Sequence, residues 1–319
     1  MPLGANLQGY AMLLALAAVF AVVNCANDGG AMLAASLKAP GVRLITAIAM
    51  FALALAVVPA LVGGGVVQTL TSGLVDAPDG MRSWLIGVGA LAAMLVVMVL
   101  TAGGLPTSLT LGMVGGIVGA GLGRGLPVQV GGVGRVLLIG LAAPVAGALM
   151  AQALMVIAAA VTSRPQIQRL AWVRRVVTAV QAIAYAANDG QKMLAVLAVT
   201  SVGVTSSALV VVAVLFALGC VIGMAAAAGT LGSILRTTPR EEVTAQLAGS
   251  AAVLVSAALG APVSMTQAVA GGMVGTGLLR GRRQVRWRVA GQLAVAWVLT
   301  LPSAGVVGAL AGSIIWRLM

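Results

Sequence analysis

The sequence predicts an all-α polytopic membrane protein. It reads as two inverted-topology repeats with broken helices or re-entrant hairpins, and about 10–12 membrane segments of helix-spanning size. Three observations predict this class. The chain has 319 residues, of which 61% are hydrophobic and only 8% charged, with mean hydropathy +1.12; a soluble domain carries about a quarter charged residues. Apolar runs of roughly 20 residues recur, the length that crosses a bilayer as helix. Short polar motifs occur twice, in the same order. Only helices and closed barrels satisfy every backbone group in lipid. The uninterrupted runs exclude a barrel, whose strands alternate over about ten residues.

The repeat organises everything else. Asn24-Cys-Ala-Asn27-Asp28-Gly29 aligns with Tyr185-Ala-Ala-Asn188-Asp189-Gly190, and Gly104-Leu-Pro106-Thr107-Ser108-Leu109-Thr110 aligns with Gly260-Ala-Pro262-Val263-Ser264-Met265-Thr266. The second match extends through Gly115–Gly125 and Gly271–Gly281. Residues 1–161 form the first repeat and 176–319 the second, joined by a polar linker at 162–175.

Charge sets the orientation. The net charge is +12, and the basic residues sit between apolar spans, so they read as positive-inside signals and not as a nucleic-acid surface. With the amino terminus outside and an odd number of crossings per repeat, thirteen basic residues fall inside and four outside, and Lys192 lies within the membrane. The inside set includes Lys38, Arg43, Arg164, Arg169, Arg174, Arg175, Arg236, Arg240 and the cluster from Arg280 to Arg288. The loop with Asp76 and Asp79 then lies outside, and its counterpart with Arg236 and Arg240 inside. Equivalent loops on opposite faces mean inverted repeats, a mark of secondary transporters. Both termini are expected outside and the linker in the cytoplasm. The first span is expected to direct its own insertion, since no cleavable leader precedes it.

Each repeat reads in the same order. A helix ends near the Asn-Asp pair, followed by a short helical piece and a return helix. A span leads into the Gly-x-Pro hairpin, another span leads back, and a last one crosses. Pro106 and Pro262 interrupt apolar stretches, where proline removes a donor and breaks the hydrogen-bond ladder. Such breaks persist at membrane depth only against protein or a cavity, and paired breaks in two repeats point to a midplane binding site. Pro59, Pro144 and Pro302 read as ordinary kinks. The chain has no histidine, which excludes histidine-based catalysis or metal binding; Cys25 and Cys220 lie in apolar segments and read as buried thiols.

Of six acidic residues, Asp76, Asp79, Glu241 and Glu242 read as loop residues, while Asp28 and Asp189 lie inside apolar spans. A membrane-buried carboxylate costs roughly 3 kcal/mol on insertion scales. Paired with Asn24, Asn27 and Asn188, these aspartates suit a hard cation such as Na⁺, which takes oxygen ligands; burial also favours protonation, so H⁺ stays open. Lys192 follows Asp189 by three residues and shares its helical face. It either neutralises Asp189 or adds positive charge beside an anion. The first repeat has Ala31 there. Thr107, Ser108 and Thr110, with Ser264, Thr266 and Gln267, place hydroxyls and an amide at the hairpins. Helices starting after the breaks would point free backbone N–H groups inward, an anion site. Uncharged donors suit a tetrahedral oxyanion that must bind and then leave.

These motifs resemble the inorganic phosphate transporter (PiT) family, as a divergent bacterial-type member. The resemblance rests on Asn27-Asp28-Gly29, Asn188-Asp189-Gly190-Gln191-Lys192, the two hairpins, and the stretches Val285-Arg-Trp287 and Ala296-Trp297 through Pro302. It covers nearly the whole chain. It implies symport of inorganic phosphate with Na⁺ or H⁺ by alternating access, often in a homodimer, in the cell inner membrane. It places Asn27, Asn188, Gln191, Lys192 and the hairpin Ser and Thr residues around phosphate, and Asp28 and Asp189 around the cation, with no cofactor beyond the coupling ion. Departures stand beside it: Leu111 and Gln267 replace the family's hairpin histidines, Leu109 and Met265 its hairpin threonines, Tyr185 a histidine, and Gln246 an acidic residue. They keep sulfate or another tetrahedral oxyanion open as the substrate. Two other classes compete: an intramembrane aspartyl hydrolase, whose paired carboxylates share a proton, and a non-transporting receptor or assembly subunit.

Overall fold

The computed structural model describes residues 3–37, 41–102, 107–161, 167–198, 206–232 and 238–318. Lys38, Gly104, Leu105, Pro106, Arg164 and Arg236 lie outside the described residues. Within them the backbone is helical apart from turns and one isolated antiparallel bridge between Val75 and Val128.

The first half runs α1 (Leu3–Asn24), a π turn (Cys25–Gly29), α2 (Gly30–Leu37), α3 (Leu44–Leu61), α4 (Gly65–Ser72), α5 (Asp79–Ala102), α6 (Leu109–Gly123) and α7 (Val130–Val161). The second runs α8 (Ile167–Tyr185), a π turn (Ala186–Gly190), α9 (Gln191–Ala198), α10 (Ser206–Gly232), α11 (Pro239–Ala258), α12 (Met265–Leu279) and α13 (Trp287–Leu318). Both Asn-Asp pairs therefore sit on π turns. This corrects the expectation that a helix ends there: the chain continues through a locally widened turn. Such bulges leave backbone groups out of register and recur at functional sites.

Among the described residues, five helices are long and apolar enough to cross a membrane: Ala11–Leu37, Leu44–Leu61, Asp79–Ala102, Val130–Ala160 and Trp287–Ile314. The chain is a multi-pass membrane protein, and large apolar side chains such as Ile45, Leu141 and Val298 face outward. By contrast α6 and α12 have 15 residues each. At 1.5 Å per residue that is about 22 Å, short of a hydrocarbon core of about 30 Å. These half-length helices begin inside the protein, and their starts meet the Asn-Asp turns.

Small residues bring the two halves together crosswise. On α6, Gly115, Gly119 and Gly123 lie against the carbonyls of Leu301, Gly305 and Ala309 on α13. On α12, Gly271 and Gly275 lie against those of Pro144 and Ala148 on α7. A methyl group at Gly119 or Gly271 would collide with backbone, which side-chain motion cannot relieve. This is the small-xxx-small packing of membrane helices. The half-length helix of each half thus packs on the last helix of the other.

Two further expectations change. Glu241 and Glu242 are not loop residues; they open α11 and are buried. Thr238 accepts from the Glu241 backbone N–H while Glu241 Oε2 accepts from the Thr238 N–H at 2.7 Å, a capping box with Pro239 at its first position. Arg280 reaches Glu241 at 3.2 Å, and Arg174 reaches Glu242 at 3.6 Å. Asp79 likewise begins α5. The segment read as linker is helical from Ile167 onward, so Arg174 and Arg175 belong to α8. Arg174 is fully buried and donates to the carbonyls of Ala35 and Ser36 near the end of α2. A guanidinium at a helix C-terminus meets the negative end of the dipole.

Candidate functional site

The site forms where the two π turns meet the starts of α6 and α12. Asp28, Asp189 and Asn188 are fully buried, and Lys192 nearly so. A charge without water needs paired and hydrogen-bonded surroundings, so each partner is informative.

The first arm presents Asp28. Its Oδ1 accepts from Asn27 Nδ2 at 3.3 Å and from Thr266 Oγ1 at 2.9 Å. Its Oδ2 is buried without a hydrogen-bond partner among the described residues. Thr266 also shares a 2.7 Å hydrogen bond with Ser264 Oγ. One carboxylate of the first half is thereby joined to the hydroxyl pair at the start of α12 in the second.

The second arm presents Asp189, and its surroundings differ. Lys192 Nζ donates to Asp189 Oδ1 at 2.9 Å, to Thr110 Oγ1 at 2.6 Å and to the Val263 carbonyl at 2.6 Å. Thr110 in turn donates to the Val263 carbonyl at 3.1 Å. Asp189 Oδ2 has no hydrogen-bond partner among the described residues. Asn24, at the start of the first arm, donates to the Tyr185 hydroxyl at 3.4 Å. Tyr185 packs between Phe51 and Phe216.

Several residues read as binding groups make hydrogen bonds to the surrounding helices. Asn188 donates to the Ala261 carbonyl at 3.2 Å and accepts from the Val263 N–H at 3.3 Å. Its amide thus pairs with the extended stretch Ala261–Ser264 as a neighbouring strand would. Gly260 turns the chain into that stretch at φ +70, a left-handed conformation that favours glycine. Gln191 accepts from the Val66 N–H at 2.9 Å, capping α4, and donates to the Ala187 carbonyl at 2.7 Å inside the π turn. Ser108 accepts from the Leu111 N–H and caps α6. Thr107 shares a hydrogen bond with Thr101 at 3.2 Å. Gln267 is buried in the first turn of α12. Leu109 and Met265 fill core volume.

A second polar cluster near the end of α2 escaped the sequence reading. Gln246 donates to the Ala35 carbonyl at 3.0 Å, and Ser36 donates to Gln181 at 3.0 Å. With Arg174 and Glu242 they tie α2, α8 and α11 together. Glutamine and arginine inside apolar helices were the available signal. Among the described residues no group of three or more His, Cys, Asp or Glu could hold a metal ion. Around the two arms the donors are carboxylate, hydroxyl, amide and carbonyl oxygens, the set that hard cations take.

The model of the phosphate transporter family matches residues 24–178 and again 164–308. A probable low-affinity inorganic phosphate transporter of Mycobacterium tuberculosis (strain ATCC 25618 / H37Rv) is 28% identical over 325 residues, covering 95% of this chain and 77% of the relative. A protein of the same description from Rhizobium meliloti (strain 1021) is 29% identical over 268 residues, covering 77% of this chain and 78% of the relative. The sodium-dependent phosphate transporter 2 of Bos taurus is 38% identical over 72 residues, 23% of this chain and 11% of that protein. Among solved structures, "The sodium-dependent phosphate transporter" superposes with a TM-score of 0.78 at 18% identity, over 97% of this chain and 100% of that one. That likeness is one of fold.

Proposed function

The chain belongs to the phosphate transporter family, and from that premise we propose that it carries inorganic phosphate across the membrane by symport with Na⁺ or H⁺, through alternating access. The relatives are transporters, which sets aside the hydrolase reading. One observation carries the proposal: Thr266 links the Asp28 carboxylate to the start of α12, where Ser264 supplies a second hydroxyl.

The chemistry follows from this link. The starts of α6 and α12 offer backbone N–H groups that suit a phosphate oxyanion, with Ser264 and Thr266 as side-chain donors. Asp28 takes the coupling cation, by protonation or through its oxygens. A cation at Asp28 relieves Thr266 of donating to the carboxylate, so that hydroxyl can turn to phosphate. Phosphate binding and cation binding then favour one another, which is a coupling free energy between two sites. The crosswise packing joins α6 to α13 and α12 to α7, so alternating access would move these interlocked groups of helices against each other around this point. The cluster of Arg174, Glu242 and Gln246 stands on the cytoplasmic side in this reading, with both termini outside.

The experiment is uptake of labelled phosphate and labelled sulfate into proteoliposomes under an imposed Na⁺ or H⁺ gradient. Phosphate accumulation driven by one of the two gradients, and little sulfate, is expected. Sulfate accumulation without phosphate would move the substrate to that oxyanion. Uptake of neither anion under any gradient removes the transport reading.

A further inference from the structure

We propose that Lys192 is a tethered cation: its ammonium stands permanently in the second of two related cation positions, and only the first arm exchanges a cation. This deepens the transport reading and rests on it. An ammonium has three N–H donors. All three are directed to oxygens, at 2.9, 2.6 and 2.6 Å, from three separate segments: Asp189 on the second π turn, Thr110 at the start of α6 and the Val263 carbonyl before α12. Neutralising Asp189 needs only the first contact. The other two make a coordination shell of carboxylate, hydroxyl and carbonyl, built from both halves at a buried point.

The repeat supplies the comparison. Thr110 aligns with Thr266, Val263 with Thr107, Asp189 with Asp28, and Lys192 with Ala31. In the first arm, where no ammonium intervenes, Thr266 reaches the carboxylate directly at 2.9 Å. In the second, Lys192 stands between the carboxylate and the matching hydroxyl, 2.9 Å from one and 2.6 Å from the other. The two positions thus share a carboxylate and a facing threonine hydroxyl, and the second holds a covalently attached cation between them. A hard cation of Ca²⁺ size, which Na⁺ shares, takes oxygens at roughly 2.3–2.6 Å. The shell around Nζ closes on such an ion by moving a few tenths of an ångström. A tethered charge cannot leave with the substrate, so each phosphate is accompanied by one cation fewer than two equivalent arms would carry.

The test opens the second position. In a D28N background, which removes the first arm's carboxylate, thermal unfolding is followed while Na⁺ replaces choline at constant ionic strength. D28N alone is expected to show no Na⁺-specific change. D28N/K192A is expected to gain a saturable rise in Tm with Na⁺, as a ligand binding only the folded state must produce. No Na⁺-specific rise in D28N/K192A overturns the proposal. A second measurement covers poor folding of that variant. In D189N/K192M the pair is removed without leaving a net charge, and phosphate uptake is expected to keep the wild-type steepness of its activation by the coupling cation. A loss of steepness means that Asp189 exchanges a cation, and also overturns the proposal. If the wild-type protein moves no phosphate at all, the transport reading fails by itself, while the Na⁺-dependent shift still decides whether the lysine fills a cation position.

Discussion

The two Asn-Asp arms share a motif, a π turn and a facing hydroxyl, yet they are solved differently. Around Asp189 the charge is closed on itself by Lys192, with Asn188 clamping the neighbouring chain. Around Asp28 the hydrogen-bond donors among the described residues are the neutral Asn27 and Thr266, and, as at Asp189, one carboxylate oxygen has no hydrogen-bond partner among them. In the proposed reading the second arm holds its charge fixed and the first exchanges a cation. The repeat gives the two arms equivalent positions, and among their differences lysine against alanine at residues 192 and 31 is the one that changes the charge.

The largest way to break that contrast is D189A. It leaves a buried lysine without its counter-charge, and such losses cost about 3–5 kcal/mol. The expected outcome is poor yield and a strongly lowered unfolding temperature in detergent, with recovery in D189A/K192M. D28N should behave oppositely: a folded protein of near-normal stability whose gradient-driven phosphate uptake falls roughly 5–150-fold, the range of a coupling free energy of about 1–3 kcal/mol. T110V removes an acceptor from the buried ammonium and should lower stability by about 1–3 kcal/mol. T266V takes a neutral donor from Asp28 and should be milder for stability, while raising the phosphate concentration needed for half-maximal uptake. N188A unclamps the Ala261–Ser264 stretch at about 0.5–1.5 kcal/mol per hydrogen bond, read as faster hydrogen exchange at Val263.

Much of this was legible in the sequence because it is written locally. The Asn-Asp pairs, the two hairpin motifs and the hydroxyls that face the arms lie in short matched stretches. The spacing of Asp189 and Lys192 by three residues already placed them on one face, and the structure joins them at 2.9 Å. The π turns were not legible, because helix period and propensity do not distinguish a continuous helix with one widened turn from two helices. They depend on close neighbours: Gly223 of α10 lies against the Ala26 backbone, where a side chain would clash. The contact of Gln191 with the start of α4 was not legible, because it joins residues 125 positions apart. The crosswise packing of α6 and α12 is likewise a long-range fact. Glu241 and Glu242 were readable and were missed: Thr238-Pro239-Arg240-Glu241 carries both the capping-box spacing and a proline at the first helical position.

The claim at the centre is that Asp28 couples a cation to phosphate while the second arm holds its charge fixed. Wild-type protein and D28N in proteoliposomes, compared for uphill accumulation and for phosphate–phosphate exchange, test it most directly. Wild type should accumulate labelled phosphate against its gradient when Na⁺ or H⁺ is supplied on one side. D28N should exchange internal for external phosphate yet fail to accumulate it. Accumulation by D28N equal to wild type would contradict the account.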